Sequence, residues 1–159
     1  MIRAVLVGLL ALSLTGCAGP TVDLSQGLQV VDITSGWIDF GLVGGQNKLV
    51  PSITFKVKNV SDQPLKVLQV NVTFRRVDDP ADWGAGFRKV TGTEGLAPGA
   101  TSDVITVDSS LGYTGADARA DMLKHAQFVD ARAHVAAKYG STQLKAIGEF
   151  PITRQLLTR

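Results

Sequence analysis

The sequence contains a single cysteine, Cys17, and the chain after it has none. No disulfide can form within the body of the protein, and no cysteine there can act as a nucleophile. Histidine is almost as scarce: His125 and His134 occur without an HxH or HExxH spacing, and we interpret both as surface residues rather than metal ligands. No serine lies in a GxSxG motif. We therefore expect a protein that is not an enzyme, binds no metal and carries no cofactor.

Glutamate is also rare, since the sequence has twelve aspartates but only two glutamates, Glu94 and Glu149. Aspartate favours turns and helix caps, whereas glutamate favours helix interiors. Seventeen glycines add to the same tendency, so the composition predicts strands and turns with little helix. The formal net charge is only +2, and no block of basic residues indicates binding to nucleic acid.

No run of about 20 apolar residues, the length that a membrane-spanning helix needs, occurs in the chain. The apolar run at residues 4–14 is shorter than this and follows Arg3, the only charged residue before Asp23. A positive residue followed by a short apolar segment is typical of a secretory signal peptide, which is removed from the mature protein.

The apolar run ends in the sequence LTGC at residues 14–17. An aliphatic residue, two small residues and a cysteine at this distance from the N-terminus resemble the lipobox of bacterial lipoproteins. The resemblance implies that the Cys17 sulfur receives a diacylglyceryl group, with fatty acids such as palmitate, and that residues 1–16 are removed. Residues 17–26 then form the lipidated N-terminus and a polar tether, and two or more acyl chains give a stable anchor. The alternative is an ordinary signal peptide that is cleaved near Ala18 and leaves an incidental thiol.

Ala18 follows the cysteine, at a position where aspartate commonly signals inner-membrane retention in Gram-negative lipoproteins. In a Gram-negative cell the resemblance therefore favours the periplasmic face of the outer membrane over the inner membrane. It also implies two partners: the membrane, through the lipid on Cys17, and a protein of the cell envelope.

Two neighbouring segments in the body of the chain alternate between apolar and polar residues. Their apolar positions are Ile53, Phe55 and Val57 in the first segment and Leu68, Val70, Val72 and Phe74 in the second. A period of two is typical of strands with one buried face. Because only a turn sequence separates the segments, we predict that they pair as a long antiparallel hairpin and share one buried face. Residues 28–33 and 37–43 read as two further, shorter strands.

Similar strand patterns recur along residues 27–159, in about eight short segments separated by turn sequences. One helical pattern interrupts them at residues 116–126, with Ala116, Ala120 and Leu123 on its apolar side. This order of elements predicts a mainly β protein: an antiparallel β-sandwich of about seven to eight strands with one short helical insertion.

A further pattern begins where one strand ends at Asn59, a short polar turn follows, and the next strand reads LQVNVTF. The turn sequence from Leu96 to Gly99, which contains Pro98, then precedes another strand. Over residues 50–108 this arrangement resembles an immunoglobulin-like module of bacterial envelope lipoproteins, and the resemblance implies an immunoglobulin-like sandwich. Asn59 is suited to bond the backbone of its turn, and Gly99 is suited to a positive φ angle. The fold class says little about activity, because such sandwiches host many functions.

Three aromatic residues, Trp83, Phe87 and Tyr113, lie in loop-like, glycine-bearing segments. Exposed aromatic side chains on sandwich loops serve as binding anchors, but aromatic side chains also close the end of a core. Both interpretations stay open, and the three residues are our candidate binding residues.

The loop that precedes Trp83 contains three carboxylates, Asp78, Asp79 and Asp82. Three carboxylates within five residues could bind a hard cation such as Ca²⁺. However, the calcium-loop spacing DxDxDG is absent, and Arg75 and Arg76 lie nearby in the sequence. We favour a solvated acidic loop that is partly paired with arginine over a calcium site.

These observations lead to a functional hypothesis: a lipid-anchored lipoprotein of the cell envelope that acts as a non-catalytic binding or accessory module at a membrane surface. Two alternatives remain. One is a carrier that holds an apolar ligand between the sheets, and the other is an enzyme whose site the motifs do not reveal.

Overall fold

The computed structural model describes residues 20–158, so Cys17 and the predicted signal peptide lie outside the described residues. Strands are the main secondary structure between these limits. The elements in chain order are α1 (Leu24–Gly27), β1 (Leu28–Val43), β2 (Gln46–Asn59), β3 (Gln69–Arg76), β4 (Gly84–Lys89), β5 (Ile105–Asp108), β6 (Tyr113–Gly115), α2 (Arg119–Met122), β7 (Ala131–Lys138) and β8 (Lys145–Pro151).

The eight strands form two antiparallel sheets of four strands each. In one sheet β1 and β5 flank β2, and β6 pairs with a further part of β2. The strand order in the other sheet is β4-β3-β7-β8. The predicted mainly β, antiparallel sandwich with one short helical insertion is therefore confirmed.

The core lies between the two sheets and contains the alternating apolar residues that the sequence identifies. Their side chains are fully buried: Ile53, Phe55 and Val57 on β2, and Leu68, Val70, Val72 and Phe74 on or just before β3. Ala133, Val135 and Ala137 on β7, the strand that pairs with β3, are buried in the same core. The period of two thus correctly predicts which side of each strand is buried.

The predicted hairpin between these two alternating segments is wrong. β2 pairs with β1, β5 and β6, whereas β3 pairs with β4 and β7, so β2 and β3 belong to opposite sheets. The two strands face each other across the core and share it without sharing a ladder. An alternating pattern determines the face that a strand buries, but it doesn't determine the neighbouring strand.

β2 instead forms its hairpin with β1, through a two-residue turn at Gly44 and Gly45. These glycines have φ angles of 59° and 77°, which suit the tight turn that matches the twist of a hairpin. Residues 28–33 and 37–43, expected as separate strands, form one strand, β1, with irregular pairing between Val31 and Thr34 and again between Asp39 and Gly41. The result is a long hairpin, and its turn lies at the opposite end from Leu28, where β1 begins.

The segment at residues 22–26, expected as part of the tether, packs against the sandwich instead. Leu24 is buried, and the Val22 N–H donates a hydrogen bond to the Tyr139 hydroxyl at 2.7 Å. Asp23 caps α1 by accepting a hydrogen bond from the Ser25 N–H at 3.0 Å. The domain therefore begins near Val22, and we call this side of the sandwich the N-terminal end.

The opposite side, which we call the remote end, carries the turn of the β1–β2 hairpin and the helix α2. Leu28 pairs with Asn59 near the N-terminal end, whereas Val43 pairs with Gln46 at the remote turn. The 16 residues of β1 thus run the whole length of the sandwich, about 50 Å at roughly 3.3 Å per residue.

The helical pattern at residues 116–126 is realised only as the single turn of α2. Its buried residues are Met122 and Leu123, whereas Ala116 and Ala120 are exposed, so the predicted apolar side is correct only at Leu123. Just before it, Tyr113–Gly115 was expected as a loop but forms β6 against β2. Three residues are too few for an alternating pattern to be recognised in the sequence.

Asn59 organises the turn after β2, as its position in the sequence predicts. The side chain is buried, and its amide donates hydrogen bonds of 2.8 Å to the carbonyl oxygens of Gln63 and Leu96. Its own oxygen accepts a hydrogen bond from the Ser61 N–H at 3.0 Å. Gly99, in the next turn of this end, has the expected positive φ angle, 76°.

Candidate binding surface at the remote end

The turn of the β1–β2 hairpin exposes three large apolar side chains. Phe40, Leu42 and Val43 are 57%, 68% and 45% exposed, and we call them the apolar hairpin tip. The Lys48 ammonium lies 4.7 Å from the centre of the Phe40 ring and donates a hydrogen bond to the Ser110 carbonyl oxygen at 3.2 Å. Three exposed apolar side chains within four consecutive residues make this turn a candidate contact surface.

The segment around α2 supports the hairpin where the second sheet no longer reaches it. The Asn47 amide donates a hydrogen bond to the Asp117 carbonyl oxygen at 2.9 Å, and Arg119 forms an ion pair with Asp39. The hydrogen bond from Arg119 lowers the pKa of Asp39 below its usual range. The tip is therefore held by side-chain contacts on both strands of the hairpin, which keeps its apolar residues in a defined position.

An aromatic cluster closes the core at the remote end. The fully buried ring of Trp37 lies at its centre, with ring-centre distances of 4.8 Å to Phe128, 5.7 Å to Tyr113 and 6.1 Å to Trp83. The rings of Trp83 and Tyr113 are 4.8 Å apart. Edge and tilted contacts of this kind stabilise a core beyond the burial of area alone.

Two of the three candidate binding residues, Trp83 and Tyr113, thus lie together in this cluster. The Tyr113 hydroxyl donates a hydrogen bond to the Val129 carbonyl oxygen at 3.1 Å, and burial raises the pKa of Tyr113. Phe87 lies apart from them on β4, where its ring is 48% exposed and the Lys138 ammonium is 6.0 Å from its centre. The geometry of Trp83 and Tyr113 supports closure of the core as their role.

We expect Trp83→Ala to lower the free energy of unfolding by about 2 kcal/mol, because it removes ring contacts and leaves space beside Trp37. The melting temperature should fall by about 4–16 °C, at roughly 2–8 °C per kcal/mol for a domain of this size. Thermal unfolding followed by circular dichroism measures this effect. Phe87→Ala is the control and should change the melting temperature little; a larger effect from Phe87→Ala than from Trp83→Ala would contradict the assignment.

The acidic loop is paired with the arginines that precede it. Arg75 Nε lies 2.7 Å from Asp82 Oδ1, and Arg76 Nη2 lies 3.3 Å from Asp79 Oδ2 and pairs through Nε with Asp78. A hydrogen bond from the Ala81 N–H lowers the pKa of Asp79. Within residues 20–158, no group of three or more histidine, cysteine, aspartate or glutamate side chains is arranged to hold a metal ion.

Both histidines lie among polar neighbours. His134 is on β7, with Nδ1 3.4 Å from Glu149 Oε2. His125 follows α2, and its Nδ1 accepts a hydrogen bond from the Gln127 N–H at 3.2 Å. The Glu149 carboxylate also lies 2.8 Å from Arg132 Nη1, so it is shared between the Arg132 and His134 side chains.

Two open grooves flank α2 at the remote end. One has a volume of about 370 Å³ and includes Tyr113, Met122, His125 and Phe128 in its lining. The other has a volume of about 460 Å³ and lies between α2 and the C-terminal segment. The remote end therefore combines a projecting apolar hairpin tip with two concave grooves, and concave surfaces are where ligands and partners commonly bind.

The apolar hairpin tip was not among the residues that the sequence identified. Residues 37–43 read as a half-buried strand, and nothing in the alternating pattern shows that the strand extends beyond the facing sheet. The diglycine at Gly44 and Gly45 was the available signal, because apolar residues next to a two-residue turn lie at an exposed position.

Comparison with known proteins gives no family for this chain. No family model matches the sequence, and no curated protein matches it. Among solved structures, the X-ray structure of Northeast Structural Genomics Consortium target SoR45 is similar to it. The sequence identity is 14%, the TM-score is 0.47, and the match covers 82% of this chain and 89% of the other. A similarity at this level assigns no function.

No helix among residues 20–158 has the length and apolar character that crossing a membrane requires.

Proposed function

We propose that this protein is a lipid-anchored lipoprotein of the cell envelope that acts as a non-catalytic binding module. Cys17 carries the lipid, and the apolar hairpin tip at the remote end contacts a protein partner. The observation that carries this proposal is the opposite arrangement of the two features: the chain enters the sandwich at the N-terminal end, and the apolar tip projects from the other end.

The length of the tether supports this orientation. Only residues 18–21 lie between Cys17 and Val22, where the chain meets the sandwich. An extended chain reaches at most about 3.3–3.6 Å per residue, so the N-terminal end stays within roughly 18 Å of the lipid. The hairpin tip lies about 50 Å from that end along β1, and an upright domain presents it away from the membrane.

The partner is a protein with an apolar recess, because the tip offers apolar side chains on a rigid hairpin. Large aromatic and aliphatic anchors carry most of the energy of such contacts. The ion pair of Arg119 with Asp39 and the hydrogen bond from Asn47 hold the hairpin, which reduces the entropy lost on binding. Ala18 supports location on the periplasmic face of an outer membrane.

A carrier of an apolar ligand is less well supported. The core residues on β2 and β3 that would line such a cavity have fully buried side chains, and the two grooves described above lie outside the core, next to α2. A carrier of this size normally encloses an interior cavity for its ligand.

The lipid anchor is tested by Cys17→Ser. The wild-type protein should incorporate a palmitate analogue and float with membranes in a density gradient, and the variant should do neither, because the thioether that holds the lipid cannot form. Both effects should be nearly complete. Absence of label from the wild-type protein would refute the anchor.

The contact surface is tested by the double variant Phe40→Ser with Leu42→Ser. At about 2 kcal/mol for each anchor, its cross-linking to a partner in intact membranes should fall at least about tenfold. Its melting temperature should stay near that of the wild-type protein, since both side chains are exposed. The matched control replaces two exposed valines away from the tip, Val60→Ser with Val104→Ser. Equal losses from both pairs would mean that the tip is not the contact.

A further inference from the structure

The free edge of β1 accepts an additional strand at one point already. The Trp37 N–H donates a hydrogen bond to the Gln155 carbonyl oxygen, and the Leu157 N–H donates one to the Trp37 carbonyl oxygen, both at 2.8 Å. Residues 155–157 thus run beside β1 in the parallel direction, with Trp37 opposite Leu156. On its other side Trp37 faces Pro51 as a pair without hydrogen bonds between them. Both backbone groups of Trp37 bond to residues 155–157 instead, and the Pro51 carbonyl oxygen accepts from the Ser109 N–H.

The same edge continues towards the hairpin tip without a partner. Backbone groups alternate in direction along a strand, so Asp39, two residues after Trp37, presents its N–H and carbonyl oxygen to the same free side. Val43 and Gln46 flank the two-residue turn and bond to each other, which directs the backbone of Leu42 to this side as well. The pairing of β1 with β2 is irregular between Asp39 and Gly41, where the Gly41 N–H donates a hydrogen bond of 2.8 Å to Asp39 Oδ1. Within residues 20–158, no second strand pairs with the free side of residues 39–42.

An apolar groove accompanies this open edge. It is the groove of about 460 Å³ between α2 and the C-terminal segment. Its lining consists of Ala120, Leu123, Lys124, Arg154, Gln155 and Leu156. Leu156 lies opposite Trp37, and α2 contacts β1 through Arg119 and Asp39. The two segments that form the groove thus adjoin β1, although its lining includes no residue of β1 itself.

We infer that an extended segment of the partner protein binds as an added strand along residues 39–42 of β1. Its backbone pairs with Asp39 and Leu42. Its side chains alternate between the groove beside Leu123 and Leu156 and the apolar surface of Phe40. This inference rests on the proposed function and adds the mode of recognition, in which the backbone gives affinity and the pockets for alternate side chains give specificity.

The lipid anchor argues for a different protein rather than a second copy as the occupant. Two copies that pair through this same edge are related by a twofold axis, and their β1 strands run antiparallel. Their N-terminal ends then lie on opposite sides, about 100 Å apart at roughly 3.3 Å per residue for two strands end to end. A tether of at most about 18 Å cannot bring both ends of such an upright pair to one membrane.

The experiment measures amide hydrogen exchange of the lipidated full chain in detergent micelles. The probe is an acetylated eight-residue peptide that alternates threonine and valine. The peptide should slow exchange at Asp39 and Leu42 at least about tenfold and leave the core amides unchanged. Leu42→Pro removes the N–H that faces the added strand and is tolerated at an edge, so it should abolish the protection at Asp39. Leu42→Ala also loses the side chain of the tip but keeps the N–H, so it should retain more of the protection at Asp39 than Leu42→Pro does.

Three outcomes overturn the inference. The first is unchanged exchange at Asp39 and Leu42 in the presence of the peptide. The second is equal protection of Asp39 in Leu42→Pro and Leu42→Ala, which would show contact through side chains alone. The third is protection that appears without peptide and increases with protein concentration as the molecular mass doubles, which identifies a second copy as the occupant. Peptide binding doesn't depend on the lipid, so an unlipidated protein would refute the proposed anchor and leave this test intact.

Discussion

Replacing Phe74 with alanine is expected to lower the free energy of unfolding by about 3–5 kcal/mol. The ring is fully buried on β3, where it belongs to the core cluster that includes Phe55 and Val107. Its removal loses the transfer free energy of the ring and leaves a cavity that the two sheets can close only in part. A domain of this kind is stable by about 5–15 kcal/mol in total, so the loss should be evident in urea unfolding as a much lower midpoint.

Thr73→Ala is the matched control, since Thr73 is next to Phe74 in sequence and points to the outer side of the same strand. Its hydroxyl accepts a hydrogen bond from the Asn71 amide at 3.3 Å on that partly exposed face. The substitution should therefore change the midpoint only slightly. Comparable losses from Phe74→Ala and Thr73→Ala would contradict the register of β3.

Replacing Asn59 with alanine is expected to lower the free energy of unfolding by about 2–5 kcal/mol. The substitution removes one donor from each of the carbonyl oxygens of Gln63 and Leu96, which keep the Ser61 hydroxyl and the Leu65 N–H as their other donors. Each hydrogen bond of the Asn59 side chain that is lost costs about 0.5–1.5 kcal/mol net. The substitution also removes the acceptor that positions Ser61 at the start of the turn. Urea unfolding measures the loss.

Asn71→Ala tests whether burial, rather than residue type, is responsible for this effect. Asn71 is an asparagine on the outer side of β3, and among residues 20–158 its amide donates to the Thr73 hydroxyl alone. We expect this variant to keep nearly all of its stability. A loss as large as that of Asn59→Ala would mean that the buried hydrogen bonds of the turn are not the cause.

The sequence predicts the faces of the strands well and their partners poorly. The alternation at Ile53–Val57 and Leu68–Phe74 identifies the buried residues correctly, because burial depends on the side of the pleat. The partner of each strand depends on turns and on distant segments. The tight turn at Gly44 and Gly45 pairs β2 with β1, which precedes it in the chain, rather than with β3, which follows it. Local sequence therefore supported a hairpin that the whole chain does not form.

Individual residues show the same difference between local geometry, which the sequence predicts, and contacts with distant segments, which it does not. Asn59 and Gly99 have the geometry that their residue types predict, since each acts within its own turn. Trp83 and Tyr113 depend on Trp37 and Phe128, which come from other parts of the chain. Leu24 likewise reads as part of a polar lead, and its burial depends on the segment near Tyr139. The lipid anchor on Cys17 stays a prediction from the sequence.

The pairing of Trp37 with residues 155–157 has a consequence for the order in which the chain folds. The contact between Ser35 and Gln155 in the same region closes a loop of 120 residues, whereas the β1–β2 hairpin closes through a two-residue turn. Hairpins form in about 1–10 μs, but the entropy of closing a long loop must be met before its contacts stabilise anything. The hairpin can therefore form early, and the backbone of its central tryptophan gains its last partners only when the far end of the chain has docked.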